Sequence, residues 1–323
     1  MPLISTLPKR VNPVTIADFK AADGLIYPLE TVEVDQSTVD YWNNWIDYTP
    51  PQIAGLFSDQ IRDGFQLQII SSELGKFIFS LKHDLYGTQE QRYNFNYNLV
   101  EYTDARMDEA IQGRRHGRDI TMRFIDLDIA LGVRRVLFSA ELAVGGYAWA
   151  RMGYELDKGD AIKIAEVGFL SKTLLSKLAA LENVIPKNSF NHAKVYARCS
   201  NTDDLYHLTQ IGDDLSGYIN VEDFEDSGFL LQSLRAVFFD EDSALRAADR
   251  MKKVTKFCLD KGRPLTIGKL LLIGESWRGR VDYDNDVQMG RILKYGGESA
   301  FSQLQRIAQQ PQPLAQTRRF AFS

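Results

Sequence analysis

Apolar residues recur along this chain with two different periods, and the change from one to the other divides it. From Phe65 to Asp104 the stretch "FQLQIISSELGKFIFSLKHDLYGTQEQRYNFNYNLVEYTD" carries three short runs rich in β-branched and aromatic residues. In "RYNFNYNLVEY", Tyr93, Phe95 and Tyr97 alternate with Asn94, Asn96 and Asn98, the period-two signature of a half-buried strand. Polar "HDLYGTQEQ" between two of these runs predicts an antiparallel hairpin or meander. The period then lengthens. Ile120, Phe124, Leu127 and Leu131 fall at i, i+4, i+7 and i+11, one face of a helix that Gly132 is placed to close. The short apolar run "VRRVLFSAEL" predicts a strand. "GGYAWARMGYEL" follows as a glycine-opened aromatic turn, in which Tyr147 and Trp149 would share a strand face.

Further on, "DAIKIAEVGFLSKTLLSKLAALEN" predicts a helix with Ile164, Val167, Leu174, Leu178 and Leu181 toward one side, ended by Pro186. "HAKVYARCS" reads as a strand, and "SGFLLQSLRAVFF" fits either helix or strand. "DEDSALRAADRMKKVTKFCLDKG" is a capped amphipathic helix stopped by Gly262. "GKLLLIGESWRGRVDYDNDVQMGRILKYGG" reads as a strand, a turn and a helix. Residues 1–60 mix prolines, acids and aromatics without a sustained period and read as an extended arm. The expected organisation is therefore an N-terminal arm (1–60), a core (61–185), a C-terminal α/β region (186–308) and a flexible tail (309–323), with no internal repeat. The expected fold class is α+β, a mixed, mainly antiparallel sheet flanked by helices.

Composition narrows the function classes. The chain has 323 residues, 44% hydrophobic and 25% charged, enough for one large or two ordinary cores. No apolar run is long enough to span a bilayer, and the first residues lack the apolar core of a signal peptide, so a soluble cytoplasmic protein with no membrane role is expected. Two cysteines without a CxxC spacing and four scattered histidines give no disulfide scaffold and no metal centre. A net charge of −5 argues against a general nucleic-acid binder. "DYDNDV" lacks the glycine and glutamate of a calcium loop, and "IGESWRG" lacks the glycine of a hydrolase elbow. No Walker loop is present, and no G-x-G-x-x-G follows a strand.

The segment with the clearest chemistry is "QGRRHGR". Gly113 and Gly117 would let a ligand approach the backbone closely, and Arg114, Arg115 and Arg118 add donors suited to phosphate. Its place before a helix adds free amides and the positive end of the helix dipole. A pyrophosphate would fit there.

These residues carry a resemblance. Residues from about 65 to 157 resemble the GNAT family of N-acetyltransferases, which holds the pyrophosphate of acetyl-CoA in a [QR]-x-x-G-x-[GA] loop opening a helix. "QGRRHG" matches its first and last positions with Gln112 and Gly117, while Arg115 stands at its central glycine. "GYAWARMGYEL" resembles the family's terminal turn, with Arg151, Gly153 and Tyr154 at its basic, glycine and aromatic positions. The resemblance implies acetyl-CoA, or another acyl-CoA, as cosubstrate, bound by Gln112, Gly113, Arg114, Arg115, His116, Gly117 and Arg118. It implies an amine acceptor as second substrate, and a carboxylate on the splayed strands as the base. Glu101 is placed first, with Asp104, Asp108 and Glu141 as alternatives. Trp149 stands where many members carry an acid tyrosine, and an indole is a donor only, so Tyr147 takes the acid role. The C-terminal region would supply an acceptor pocket or a homo-oligomer interface. Two other readings stay open: a catalytically inactive binding or assembly protein on the same scaffold, and a transferase-type toxin or effector using another phosphate-bearing cosubstrate such as NAD.

Overall fold

A computed structural model of the chain describes residues 9–21, 36–73, 76–85, 87–97, 99–107, 116–140, 145–157, 161–202, 205–275 and 277–296. Among the described residues four helices precede the first strand: α1 (Ile16–Ala21), α2 (Gln36–Trp45), α3 (Pro50–Leu56) and α4 (Ser58–Arg62). The stretch expected to be irregular is thus largely helical where it is described. Each helix is too short for an apolar period to stand out; the local signal is the capping box of Thr49 and Gln52 with Pro50 at the first helical position. Trp42 anchors α2. Its fully buried ring meets Phe19 and Phe77 edge-on, and its indole N–H donates to the Tyr48 carbonyl.

β1 (Gln66–Glu73), β2 (Lys76–His83), β3 (Gly87–Asn94) and β4 (Leu99–Met107) form an antiparallel meander. The expected strand across "RYNFNYN" is interrupted. β3 ends at Asn94, the Tyr97 amide donates to the Asn94 carbonyl, and Tyr97 is exposed in a turn. Asn96, which looked like the wet side of a strand, lies in that turn instead.

α5 (His116–Ala130) then carries the chain back to β5 (Arg135–Ala140), parallel to β4. Ile120, Phe124 and Leu127 are buried as the spacing predicted. Gly132, in the left-handed region, closes the helix: its amide donates to Ile129 and that of Val133 to Asp128. "GGYAWARM" departs from the expected turn by forming a helix, α6 (Gly145–Met152), closed by the same bond pair at Gly153 and Tyr154. Tyr147 and Trp149 are therefore helical neighbours rather than alternate strand positions, and both are buried. β6 (Glu155–Leu156) follows.

Helices fill most of the next 110 residues: α7 (Ala161–Val184), α8 (His192–Ser200), α9 (Leu205–Thr209), α10 (Phe229–Val237), α11 (Glu241–Asp260) and α12 (Ile267–Leu272). "HAKVYARCS", expected as a strand, is α8. Asn191 caps it by accepting from the Lys194 amide, and Val195 and Cys199, four apart, are its buried face. "GKLLL", also expected as a strand, is α12, buried at every position except Lys269, and so short an apolar run carries no period to read. Lys177 of α7, itself fully buried, donates to the Leu271 and Ile273 carbonyls at the end of α12 and pairs with Glu275.

The chain returns with β7 (Trp277–Asp282) and α13 (Asp286–Gly296). β7 lies between β5 and β6, antiparallel to both, giving the order β1-β2-β3-β4-β5-β7-β6. The fold is α+β: a mixed, mostly antiparallel, open seven-stranded sheet flanked by helices.

Candidate functional site

The parallel pair β4 and β5 is joined over a short length. Their ladder runs from Leu99↔Arg135 to Tyr102↔Phe138, yet β4 continues to Met107 against β3 and β5 continues to Ala140 against β7. Beyond Tyr102 and Phe138 no pairing joins the two strands among the described residues. The divergence coincides with a bulge in β4: Glu90 pairs with Asp104 and Gln91 with Tyr102, leaving Thr103 extra. A bulge bends its strand and turns backbone groups out of the ladder. The sheet therefore opens between β4 and β5 on the side toward which both strands run, the side from which the chain leaves β4 for α5.

α5 begins at His116 with Gly117, Arg118 and Asp119 in its first turn. Arg118 is half-buried and pairs with Asp119 at 3.1 Å. Thr121 donates back to the Gly117 carbonyl and is within 3.3 Å of Gln89 Oε1. Gln112, Gly113, Arg114 and Arg115 lie outside the described residues, as do Asp108 and Glu141, and of His116 only the backbone is described. Of the expected anion loop, the structure thus describes its helical end.

α5 covers the sheet face of Gln89, Gln91, Tyr93, Val100 and Val136. Beneath it lies a buried polar cluster that the sequence reading passed over. Asp128 is fully buried, with the Tyr93 hydroxyl 2.6 Å from Oδ1 and the Tyr283 hydroxyl 2.7 Å from Oδ2. Burial pushes its carboxyl up to about 7, against the hydrogen bonds from both tyrosines. Tyr93 also lies 2.6 Å from Gln91 Oε1, so its single hydrogen faces two acceptors. The signal was present in "FIDLDIA", where two acids interrupt an apolar run.

Glu101 lies on the opposite face, since neighbouring Val100 is fully buried under α5 and strand residues alternate. It is exposed, with Arg92 across on β3 and Leu137 across on β5. Asp104, an alternative base, pairs with Glu90 beyond the bulge.

Tyr147, on α6, is almost fully buried. Burial raises its phenol above the ordinary value, with the charge of Arg151 opposing. Tyr295 of α13 is raised by burial as well, while Arg151 and Arg118 act to lower it. The start of α5 and the phenols of α6 and α13 are thus electrostatic neighbours. Glu101 and Tyr147 are not brought into contact: one faces Arg92 and Leu137, the other Thr266 and Arg151. Trp149 packs against Phe138 and Tyr154, both at ring distances of 5.0 Å.

No family model, curated protein or solved structure matches this chain. Its chemistry is therefore read from its own residues. Among the described residues no group of three or more His, Cys, Asp or Glu could hold a metal ion, and no helix is long and apolar enough to cross a membrane.

Proposed function

We propose that this chain is an acyl-CoA-dependent N-acyltransferase of GNAT-like fold, acting in the cytoplasm and transferring an acyl group, acetyl first among them, to an amine. The observation that carries this reading is the parallel β4–β5 pair that parts after Tyr102 and Phe138 at a bulge, with α5 the next described element after β4. Unpaired strand amides in such an opening can hold a thioester carbonyl. The segment Gln112 to Arg118, whose last three residues open α5, can take the pyrophosphate through backbone amides, the dipole of a 15-residue helix and its arginines. Glu101 takes the proton from the amine. Tyr147, kept protonated by burial, is the phenol on α6 that can return one to the departing thiolate.

Calorimetric titration with acetyl-CoA tests this, beside an Arg114→Ala, Arg115→Ala double variant. Saturable binding that the variant loses supports the reading. An absence of binding at millimolar acetyl-CoA rejects it. A second reading, a binding protein that keeps the scaffold without catalysis, is favoured by Trp149, whose indole sits in the core against Phe138 where a phenol would serve chemistry. Acetyl-CoA binding without transfer to any amine would decide for it.

A further inference from the structure

On the sheet face opposite α5, one row of residues crosses the sheet at the level where β4 and β5 part. Register places Arg92 (β3), Glu101 (β4), Leu137 (β5), Arg280 (β7) and Glu155 (β6) side by side. Neighbouring strands are about 4.8 Å apart, so Glu101 and Arg280 stand roughly 10 Å apart with half-buried Leu137 between them. Glu155 is occupied by Arg291, at 3.6 Å. Asp282, on the same face, is 3.9 Å from Arg135. Among the described residues no ion pair engages Glu101, Arg92 or Arg280. Beside Glu155, which Arg291 engages, the row therefore presents the carboxylate of Glu101, an apolar floor and, two strands away, half-buried Arg280, with Arg92 on the far side of Glu101.

We infer that the acceptor is a free α-amino acid, bound as its zwitterion across this row; the inference rests on the acyltransferase reading. The ammonium sits at Glu101, where the thioester carbonyl would arrive through the strand opening. The carboxylate sits at Arg280, whose planar fork suits bidentate recognition, and the side chain lies over Leu137. Two hydrogen-bond lengths and the short ammonium-to-carboxylate span of an α-amino acid together come to about 9 Å, which the two-strand separation accommodates. Polyamines and lysine-rich peptides fit poorly, because Arg92 and Arg280 flank Glu101 and repel added cationic charge, and Glu155 is already engaged by Arg291. In the reaction the ammonium gives one proton to Glu101, and the nitrogen lone pair forms the C–N bond to the thioester carbon. The tetrahedral adduct loses its second N–H proton as the C–S bond breaks, and the CoA sulfur leaves with a proton. The products are the N-acyl amino acid, CoA thiol and a protonated Glu101.

The test is thiol release from acetyl-CoA by the full chain, with products checked by mass. The acceptors are free amino acids, their carboxamides, spermidine and a lysine-rich peptide, and acetyl-CoA binding is measured in parallel. Free amino acids should be acetylated and their carboxamides disfavoured at least about tenfold, the loss expected for one charged hydrogen-bonded contact. Arg280→Gln should raise KM for the amino acid by a similar factor without changing KM for acetyl-CoA, with Arg280→Lys between the two. A thermal melt of each variant separates this from misfolding. Equal use of carboxamides, preference for spermidine or the peptide, or an unchanged KM in a folded Arg280→Gln variant overturns the zwitterion and leaves acyl transfer standing. Acetyl-CoA binding without turnover of any acceptor overturns the inference and leaves cofactor binding. No acetyl-CoA binding removes both.

Discussion

Asp128 is where a single proton reports on the whole core. Its carboxyl titrates near 7 in the folded chain against 3.8 ordinarily. Between about pH 4 and 7 the unfolded chain has released this proton while the folded chain keeps it. Stability therefore falls as pH rises through that window and levels off above it, with a total effect of roughly 4 kcal/mol. Asp128→Asn keeps a donor and an acceptor for the two tyrosines but has no proton to lose. Urea denaturation from pH 4 to 8 should show the variant's stability lacking this decline. A parallel fall in variant and parent would show that Asp128 is ionised in the fold. Lys177 makes the opposite case, a buried charge whose partners are all in place. Lys177→Met strands Glu275 and two carbonyls at the end of α12 and should cost about 3 to 5 kcal/mol, read as a lower urea midpoint. The double variant Lys177→Met, Glu275→Gln should recover part of that loss, because the uncompensated carboxylate is gone.

Among the elements, α6 shows what the chain disclosed and what it withheld. "GGYAWARMGY" contains the glycine that closes the helix, but eight residues dense in aromatics also fit a turn or strand, and only packing decides between them. The deciding contact involves Gly146. A Cβ there would lie 2.6 Å from the Leu272 carbonyl oxygen and 2.7 Å from that of Glu275, backbone atoms held by the end of α12. Gly146→Ala should therefore destabilise by about 1 to 3 kcal/mol, seen as a lowered melting temperature. An unchanged melting temperature would mean that α6 docks less closely. Long periodic segments such as α5, α7 and α11 were legible, α5 and α11 also through Gly132 and Gly262 at their ends. α8 and α12 were not: the cap at Asn191 was outweighed by alternating letters, and α12 is six residues long and apolar but for Lys269. Of the candidate site, Glu101 and the start of α5 could be placed from sequence. The row Arg92–Glu101–Leu137–Arg280 could not, because its members lie up to 188 positions apart and meet only through sheet register.

The molecule as a whole is held together by where β7 comes from. The strand between β5 and β6 arrives more than 110 residues after β6, once α7 to α12 have been traversed. Val281 faces Val136 across the ladder, and Trp277 meets Phe138 edge-on at 5.0 Å, so the later segment completes the core built by the earlier one. A chain ending at residue 185 would keep every strand of the β1-to-β5 ladder but leave β5 with an open edge, and two-residue β6 would lose its partner. It would also expose Phe138, Tyr154 and Leu156. The expectation is that residues 1–185 expressed alone aggregate or are rapidly proteolysed, and that co-expression with residues 186–323 restores a soluble, protease-resistant complex. A monomeric 1–185 fragment with a cooperative thermal transition would instead show that the first half folds by itself and that β7 is an addition to a finished sheet. The same pair of fragments locates the chemistry. Arg280 lies on the second and Glu101 on the first, so an acceptor site spanning both should work only in the reassembled complex.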